Sequence, residues 1–113
     1  MLTSGDIVDL ELGTPAGREA GFRRPVVVVT AQGLLDESPN VVQVVPLTSA
    51  LRPFGSEVEI EPDEMNRLET ASSAQCQHIR AVSVERVEAV HGNVGPTILS
   101  QIREVLSIIL DTG

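Results

Sequence analysis

The sequence predicts a small, mainly antiparallel β-barrel or half-barrel that ends in an amphipathic α-helix. A length of 113 residues with 42% hydrophobic content fits one globular domain spanning residues 1–113. Several short β-branched or alternating segments are separated by turn-forming residues, which is typical of an all-β core. The last segment opens with Gly95-Pro96 and then repeats apolar residues at intervals of three and four, which predicts a helix.

The first two strands differ in their hydrophobic pattern. Residues 5–12 alternate apolar and acidic side chains, which predicts a half-buried strand. A loop rich in glycine and proline follows, up to Arg23. Residues 24–30 are β-branched without alternation, which predicts a central strand covered on both faces.

The middle of the chain is a series of short elements. Residues 34–40 have the composition of a turn, and Pro46 within the third predicted strand indicates a bulge or an edge. Asp63 is a candidate N-cap for a single helical turn over residues 63–68. The remaining predictions are strands over residues 41–48, 56–61, 72–82 and 87–94, and a short helix or turn over 83–87.

The predicted final helix has a wide apolar face. Its stripe consists of Ile98, Ile102, Val105, Leu106 and Ile109. Ile108 and Leu110 widen that stripe. The extra width is consistent with a dimer contact and equally with a helix that is fully covered in a monomer.

Composition excludes several functions. A net charge of −8 argues against non-specific binding of nucleic acid, which depends on neutralising phosphates with Lys and Arg. One cysteine excludes an internal disulfide, and two histidines without flanking ligands argue against a dedicated metal site. With no apolar segment near the ~18 residues of a membrane span and no signal-peptide pattern, we expect a cytoplasmic protein without a cofactor.

A local basic site is nevertheless present. All eight basic residues are arginines, and Arg18, Arg23 and Arg24 fall within seven positions. Arginine binds phosphate bidentately and stays charged. The loop before the central strand is therefore a candidate phosphate site on an otherwise acidic protein.

Ordered motifs along the chain resemble the MazF/PemK family of toxin endoribonucleases. Gly5-Asp6-Ile7 is similar to the opening strand of that family, and residues 17–28, which end in Arg23-Arg24-Pro25 and three valines, resemble its "G-S-E…R-P" segment. The later similarities are Val45-Pro46-Leu47-Thr48-Ser49, Pro53-Phe54 before Glu57-Val58, residues 77–82, Arg86-Val87 and Val94-Gly95. Their order and spacing together carry the resemblance.

The resemblance implies an SH3-like barrel that forms a homodimer and cuts single-stranded RNA. It further implies inhibition by a MazE-like antitoxin and a reaction without metal. In that reaction the 2′-hydroxyl of the substrate attacks the neighbouring phosphorus, leaving a 2′,3′-cyclic phosphate and a 5′-hydroxyl. The catalytic candidates implied are Arg24 and Thr48. The candidates for RNA binding are Arg18, Glu19, Phe22, Arg23, Ser49, Gln77, His78 and Arg80.

Departures from the family pattern concern the RNA-binding edge more than the two catalytic candidates. Arg18 replaces the usual serine, and Gln77 and His78 stand where an acidic residue and a glutamine are common. The first strand has Val8 or Asp9 near the place of the usual tryptophan. These changes bear on sequence preference.

Several candidates have more than one interpretation. Arg23 either contacts phosphate or is solvated, and Phe22 either stacks on a base or anchors the loop. Glu19 either holds the loop or accepts a proton, or is simply an exposed acid. His78 is either a general base or a hydrogen-bonded strand residue.

Two other functions compete with RNA cleavage. A barrel of this kind also serves non-catalytic toxins such as CcdB-like gyrase inhibitors, and fold alone does not fix function. A family member that still binds antitoxin or RNA but no longer cuts is the other alternative.

Overall fold

A computed structural model describes residues 1–14, 16–17, 22–52 and 54–112. Within these residues, seven strands and two α-helices alternate with short connections. The elements are β1 (Asp6–Glu11), β2 (Arg23–Val28), α1 (Gln32–Leu35), β3 (Val41–Thr48), β4 (Glu57–Ile60), β5 (Ser72–Gln75), β6 (Arg80–Ser83), β7 (Ala89–Asn93) and α2 (Gly95–Leu110). Two 3₁₀ turns, Cys76–His78 and Val84–Arg86, precede β6 and β7.

All the strand pairs are antiparallel, and the sheet curls into a half-barrel. Its strand order is β4-β5-β3-β2-β1-β7, and β6 also pairs with β3. β6 pairs with residues 41–44 of β3, and β5 pairs with Leu47 and Thr48. Pro46 lies between these two ladders. On the side of β3 that pairs with β5 and β6, Pro46 has no Cα partner, so its missing backbone N–H is tolerated.

The sheet is buried on both faces, because successive strand side chains point to opposite sides. One cluster of buried side chains lies under α2 and includes Ile7, Val27 and Val45. The other lies on the opposite face and includes Val8 and Val26. The prediction of a covered central strand is confirmed for β2, whereas the half-buried first strand is wrong. β1 lies between β2 and β7, and both of its faces are covered.

The polar strand predicted over residues 72–82 is interrupted. The 3₁₀ turn Cys76–His78 divides it into β5 and β6, which occupy the same side of β3. The break allows β5 to pair with β4 as well. Gln77 and His78 therefore lie in a turn and not in a strand.

The segment predicted as one helical turn is an irregular turn that Asp63 nevertheless caps. Asp63 Oδ1 accepts hydrogen bonds from the backbone N–H groups of Met65 at 2.9 Å and Asn66 at 2.7 Å. The turn predicted over residues 34–40 begins instead with the single helical turn α1.

The final helix packs on the sheet, and the face that it buries differs from the predicted apolar stripe. Leu99, Ile102 and Leu106 are buried, while Ile98 and Val105 flank them. Ile109, placed in the stripe by periodicity, is 40% exposed, because it lies beyond the last turn that the sheet covers.

Candidate active site

A groove of about 420 Å³ opens where β1, β2 and β3 reach the same end of the sheet. We call it the arginine groove. Three arginines and two carboxylates line it, so that its charge is locally positive on a protein of net charge −8. Its lining consists of Asp9, Arg23, Arg24, Pro25, Leu47, Thr48, Ser49, Arg67, Leu68, Glu69, Thr70, Ser72 and His91.

Arg24 lines the arginine groove as the second residue of β2, where the sheet fixes its backbone. It pairs in register with Leu10 of β1 and is half-buried. Its Nη1 donates a hydrogen bond to Gln75 Oε1 at 3.3 Å. Gln75 is only 6% exposed, so the amide that receives the guanidinium is itself fixed by packing.

Thr48 lies beside this arginine at the end of β3. It pairs with Ser73 of β5, and its Oγ1 accepts a hydrogen bond from the backbone N–H of Ala50 at 3.1 Å. Accepting that bond uses a lone pair and leaves the hydroxyl proton able to donate. Ser49 follows it, exposed, in the lining of the arginine groove.

Arg23 lies at the rim in an ion pair with Glu88. Both side chains are well exposed, at 58% and 40%. A pair of this exposure is worth little to stability, and a competing anion can take the arginine from it. The position fits a helper role in anion binding.

The opposite wall is formed by the segment before β5, which Asn66 holds in place. Asn66 is 1% exposed, and its Oδ1 accepts from the backbone N–H groups of Asp63 and Leu68, each at 3.0 Å. Its Nδ2 donates to the carbonyl of Glu61 at 2.8 Å. These bonds support the positive φ of 56° at Arg67, whose side chain lines the arginine groove.

The arginine groove also contains a carboxylate–imidazole pair. His91 Nε2 lies 2.6 Å from Asp9 Oδ2. The sequence assigned no role to either side chain, because the two are far apart in the chain and only the pairing of β1 with β7 brings them together. Gln75 and Arg67 were missed for the same reason.

Four predicted RNA-binding residues lie outside this lining. Gln77 Nε2 donates to Glu57 Oε2 at 2.7 Å, and His78 lies in the same 3₁₀ turn. Arg80 Nη1 donates to the carbonyl of Leu12 at 3.2 Å. Phe22, with a φ of 60°, is exposed at the base of the loop between β1 and β2.

Arg18 and Glu19 lie outside the described residues. The part of the loop that the structure describes is closed at its base. The backbone N–H of Phe22 donates to the carbonyl of Gly13 at 2.6 Å, and that of Leu12 donates to the carbonyl of Phe22 at 2.9 Å.

Cys76 is a core residue and not a nucleophile. Its side chain is buried in the cluster under α2. Burial raises the pKa of its thiol from 9.0 to about 11, with a smaller contribution from the charge of Glu57. A thiol with such a pKa is almost entirely protonated at neutral pH, whereas the thiolate is the reactive form.

Two further properties concern the described residues alone. They contain no group of three or more His, Cys, Asp or Glu side chains placed to hold a metal ion. None of the helices within them is long and apolar enough to cross a membrane.

The sequence and the fold both match known toxins. A family model described as PemK-like, MazF-like toxin of type II toxin-antitoxin system matches residues 3–110. The chain is 30% identical to endoribonuclease MazF9 of Mycobacterium tuberculosis (strain ATCC 25618 / H37Rv), over 98% of both chains. The resemblance drawn from the motifs is thereby confirmed.

Solved structures give the same fold. MazF from Deinococcus radiodurans is 24% identical with a TM-score of 0.79, covering 96% of this chain and 94% of that one. A mycobacterial endoribonuclease solved in complex with its cognate antitoxin is 18% identical with a TM-score of 0.78, covering 100% and 98%. The predicted barrel with a C-terminal helix is confirmed as a curled half-barrel of this type. The chain belongs to the family of PemK-like, MazF-like toxins of type II toxin-antitoxin systems.

Proposed function

We propose that this protein is a toxin endoribonuclease that cuts single-stranded RNA by attack of the substrate's own 2′-hydroxyl. One observation carries the proposal: Arg24, fixed by Gln75, lies with Thr48 in a groove of locally positive charge. The 30% identity to endoribonuclease MazF9 supports the same activity. Because the protein is acidic elsewhere, a phosphate-binding groove would restrict RNA binding to the arginine groove.

Arg24 acts by stabilising charge. Attack of O2′ on phosphorus builds negative charge on the non-bridging oxygens, and a preorganised guanidinium stabilises that charge. Thr48 donates a hydrogen bond to one of these oxygens. Arg23 and Ser49 bind the flanking phosphates of the RNA. Arg67 contacts the RNA strand from the opposite wall of the arginine groove.

The products are a 2′,3′-cyclic phosphate and a 5′-hydroxyl, formed without a metal ion. The roles of Arg24 and Thr48 need only a guanidinium and a hydroxyl. Cleavage in excess EDTA at the undiminished rate would support this part of the proposal. Loss of cleavage in EDTA that Mg²⁺ restores would contradict it.

The experiment that tests the proposal compares wild type with Arg24→Ala on a long, unstructured RNA. Removing one preorganised charge-stabilising group costs about 10²–10³ in rate. Arg24→Lys keeps the positive charge but loses the bidentate geometry of the guanidinium, so its cleavage rate should lie between those of wild type and Arg24→Ala. Gln75→Leu should lower the rate, because it removes the acceptor of the hydrogen bond that Arg24 Nη1 donates.

The outcome is read from the RNA ends. New 5′ ends that a kinase can phosphorylate without prior phosphatase treatment show a 5′-hydroxyl product. Equal cleavage by wild type and Arg24→Ala would refute the catalytic role of Arg24. A wild-type protein that inhibits DNA gyrase and leaves RNA intact would refute the activity.

The proposed partners are a second copy of the chain and a MazE-like antitoxin. A mycobacterial structure of the same fold is a complex of endoribonuclease with its cognate antitoxin. An acidic antitoxin tail would occupy the arginine groove in place of RNA phosphates, so we expect its affinity to fall as salt rises. An affinity that does not change with salt would contradict this mode of inhibition.

A further inference from the structure

One aromatic side chain near the catalytic candidates has no part in the proposed function. Phe54 is one of two phenylalanines in a chain without tryptophan or tyrosine, and it is 52% exposed. A single exposed apolar side chain is ordinary on a protein surface. The contacts that hold this ring, and the face of the sheet on which they lie, indicate a function for it.

The ring of Phe54 is fixed through its side chain and its backbone. The guanidinium carbon of Arg52 lies 4.9 Å from the ring centroid, within the range of a cation–π contact. The backbone N–H of Phe54 donates to the carbonyl of Arg52 at 2.9 Å, and its carbonyl accepts from the N–H of Glu57 at 3.1 Å. The ring is therefore ordered before any ligand binds.

A buried carboxylate anchors the guanidinium that covers the ring. Arg52 Nη2 donates to Glu57 Oε2 at 3.0 Å, and the side chain of Glu57 is only 1% exposed. Gln77 Nε2 donates to the same oxygen at 2.7 Å. Separating a buried carboxylate from its cationic partner is costly, so Arg52 is held firmly against the ring.

The side chain of Arg24 points to the face of the sheet opposite α2. Val26, two residues further along β2, belongs to the buried cluster on that face, and alternate strand residues share a face. Gln75, which accepts the hydrogen bond of Arg24, follows Ala74, whose side chain is buried under α2. Gln75 therefore points to the same face as Arg24.

The edge strand β4 continues this face towards the ring. Glu57 pairs in register with Gln75, and its neighbour Val58 is buried under α2, so Glu57 also points to the face opposite α2. The strand order places β4 three strands from β2, which is about 14 Å at about 4.8 Å for each pair. A polar row thus leads from Arg24 through Gln75 and Glu57 to the ring of Phe54.

The chemistry of the end of this row fits a nucleobase. Bases of single-stranded RNA stack on aromatic side chains and on the planes of arginine guanidinium groups. Phe54 and Arg52 provide both surfaces, and the carboxylate of Glu57 balances the charge of Arg52. A few nucleotides of an RNA strand bound at Arg24 suffice to reach the ring.

We propose that Phe54, held by Arg52, is a stacking platform for a base of the RNA strand that Arg24 binds. This inference rests on the proposed RNA cleavage and adds a second point of contact with the same substrate. Every base has a π-face, so the ring adds affinity and does not select a base. The ring lies away from the reacting phosphate, so it leaves the rate of the bound complex unchanged.

The first measurement is the affinity for a mixed-sequence, single-stranded 2′-O-methyl oligonucleotide, whose blocked 2′-oxygens cannot attack phosphorus. Phe54→Ala should weaken binding by about 5- to 150-fold. The dependence of affinity on salt should keep its slope, because no phosphate contact is lost. Leu34→Ala is the matched control, because Leu34 is 55% exposed in α1, which follows the opposite end of β2, and it should bind like wild type.

The second measurement uses fluorescence, since the chain has no tryptophan of its own. Phe54→Trp keeps an aromatic face and should keep the wild-type affinity. Its indole emission should be quenched when the oligonucleotide binds, because a stacked base contacts the ring. Leu34→Trp places an equally exposed indole on α1 and should show no quenching.

The third measurement is single-turnover cleavage of unstructured RNA over a range of protein concentrations. For Phe54→Ala, the concentration at half-saturation should rise by the factor found in binding, while the rate at saturation stays close to wild type. A structural defect that reached Arg24 would lower the rate at saturation instead.

The outcomes separate the failure of this inference from that of the proposed function. Wild-type affinity in Phe54→Ala, or unquenched emission from Phe54→Trp at saturating oligonucleotide, overturns the inference. Emission that changes only with protein concentration overturns it too, because the ring would then lie between two copies of the chain. If the oligonucleotide binds and quenches Phe54→Trp but wild type cuts no RNA, the proposed cleavage fails while the stacking platform is supported.

Discussion

Replacing Asn66 by alanine should destabilise the protein through three hydrogen bonds at once. The variant leaves the N–H groups of Asp63 and Leu68 and the carbonyl of Glu61 without their partner at a site that is 1% exposed. A net value of about 1 kcal/mol for each bond gives about 3 kcal/mol of unfolding free energy. With an unfolding entropy of about 2.1 cal/mol/K per residue over 113 residues, the melting temperature should fall by about 13 °C.

Calorimetry at a fixed protein concentration measures this change, since any self-association makes the melting temperature depend on concentration. Glu64→Ala is the matched control, because it truncates an exposed neighbour in the same turn and should stay within about 0.5 kcal/mol of wild type. A fall of less than about 3 °C in Asn66→Ala would show that water replaces the amide. The argument that Asn66 holds the wall of the arginine groove would then be wrong.

Two other predictions concern a close approach and a buried thiol. Gly92→Ala should destabilise the protein by about 1–3 kcal/mol, since the new methyl group meets the carbonyl oxygen of Met65. Gly33→Ala is the control and should leave the stability unchanged, because nothing lies within 4 Å of its added Cβ. Equal melting temperatures for the two variants would contradict the close approach of Gly92 to Met65. Because burial raises the pKa of Cys76 from 9.0 to about 11, the folded state holds the thiol proton more tightly than the unfolded state. The stability that this thiol contributes is present below pH 9 and is lost as the pH rises towards 11. In denaturant titrations over that pH range, Cys76→Ala should therefore lose less stability than wild type. Equal losses in the two proteins would contradict the raised pKa of Cys76.

Local patterns were sufficient for most of the elements. The β-branched run that became β2 and the Gly-Pro start of α2 were read correctly, because burial on both faces and helix initiation leave signals in adjacent residues. The break at Cys76–His78 was not predicted, because the pattern of residues 72–82 suits a strand throughout. It is the pairing of β5 with both β3 and β4 that requires the turn.

The candidate site divides in the same way. Arg24 and Thr48 were identified from motifs, and the structure brings both into the arginine groove. Gln77, His78 and Arg80 were grouped with them because residues 77–82 resemble a family motif, and the structure places all three outside the lining of the arginine groove. Their part in RNA binding stays a prediction.

The sequence by itself determined the fold class, the family and the arginine at the head of the central strand, since each is encoded in residues that lie close together in the chain. Only the tertiary structure decided what surrounds that arginine. Gln75 reaches it across the sheet, and the contact of Asp9 with His91 depends on a bulge between the first and last strands. Contacts between distant segments depend on strand register, and no local pattern of residues specifies that register.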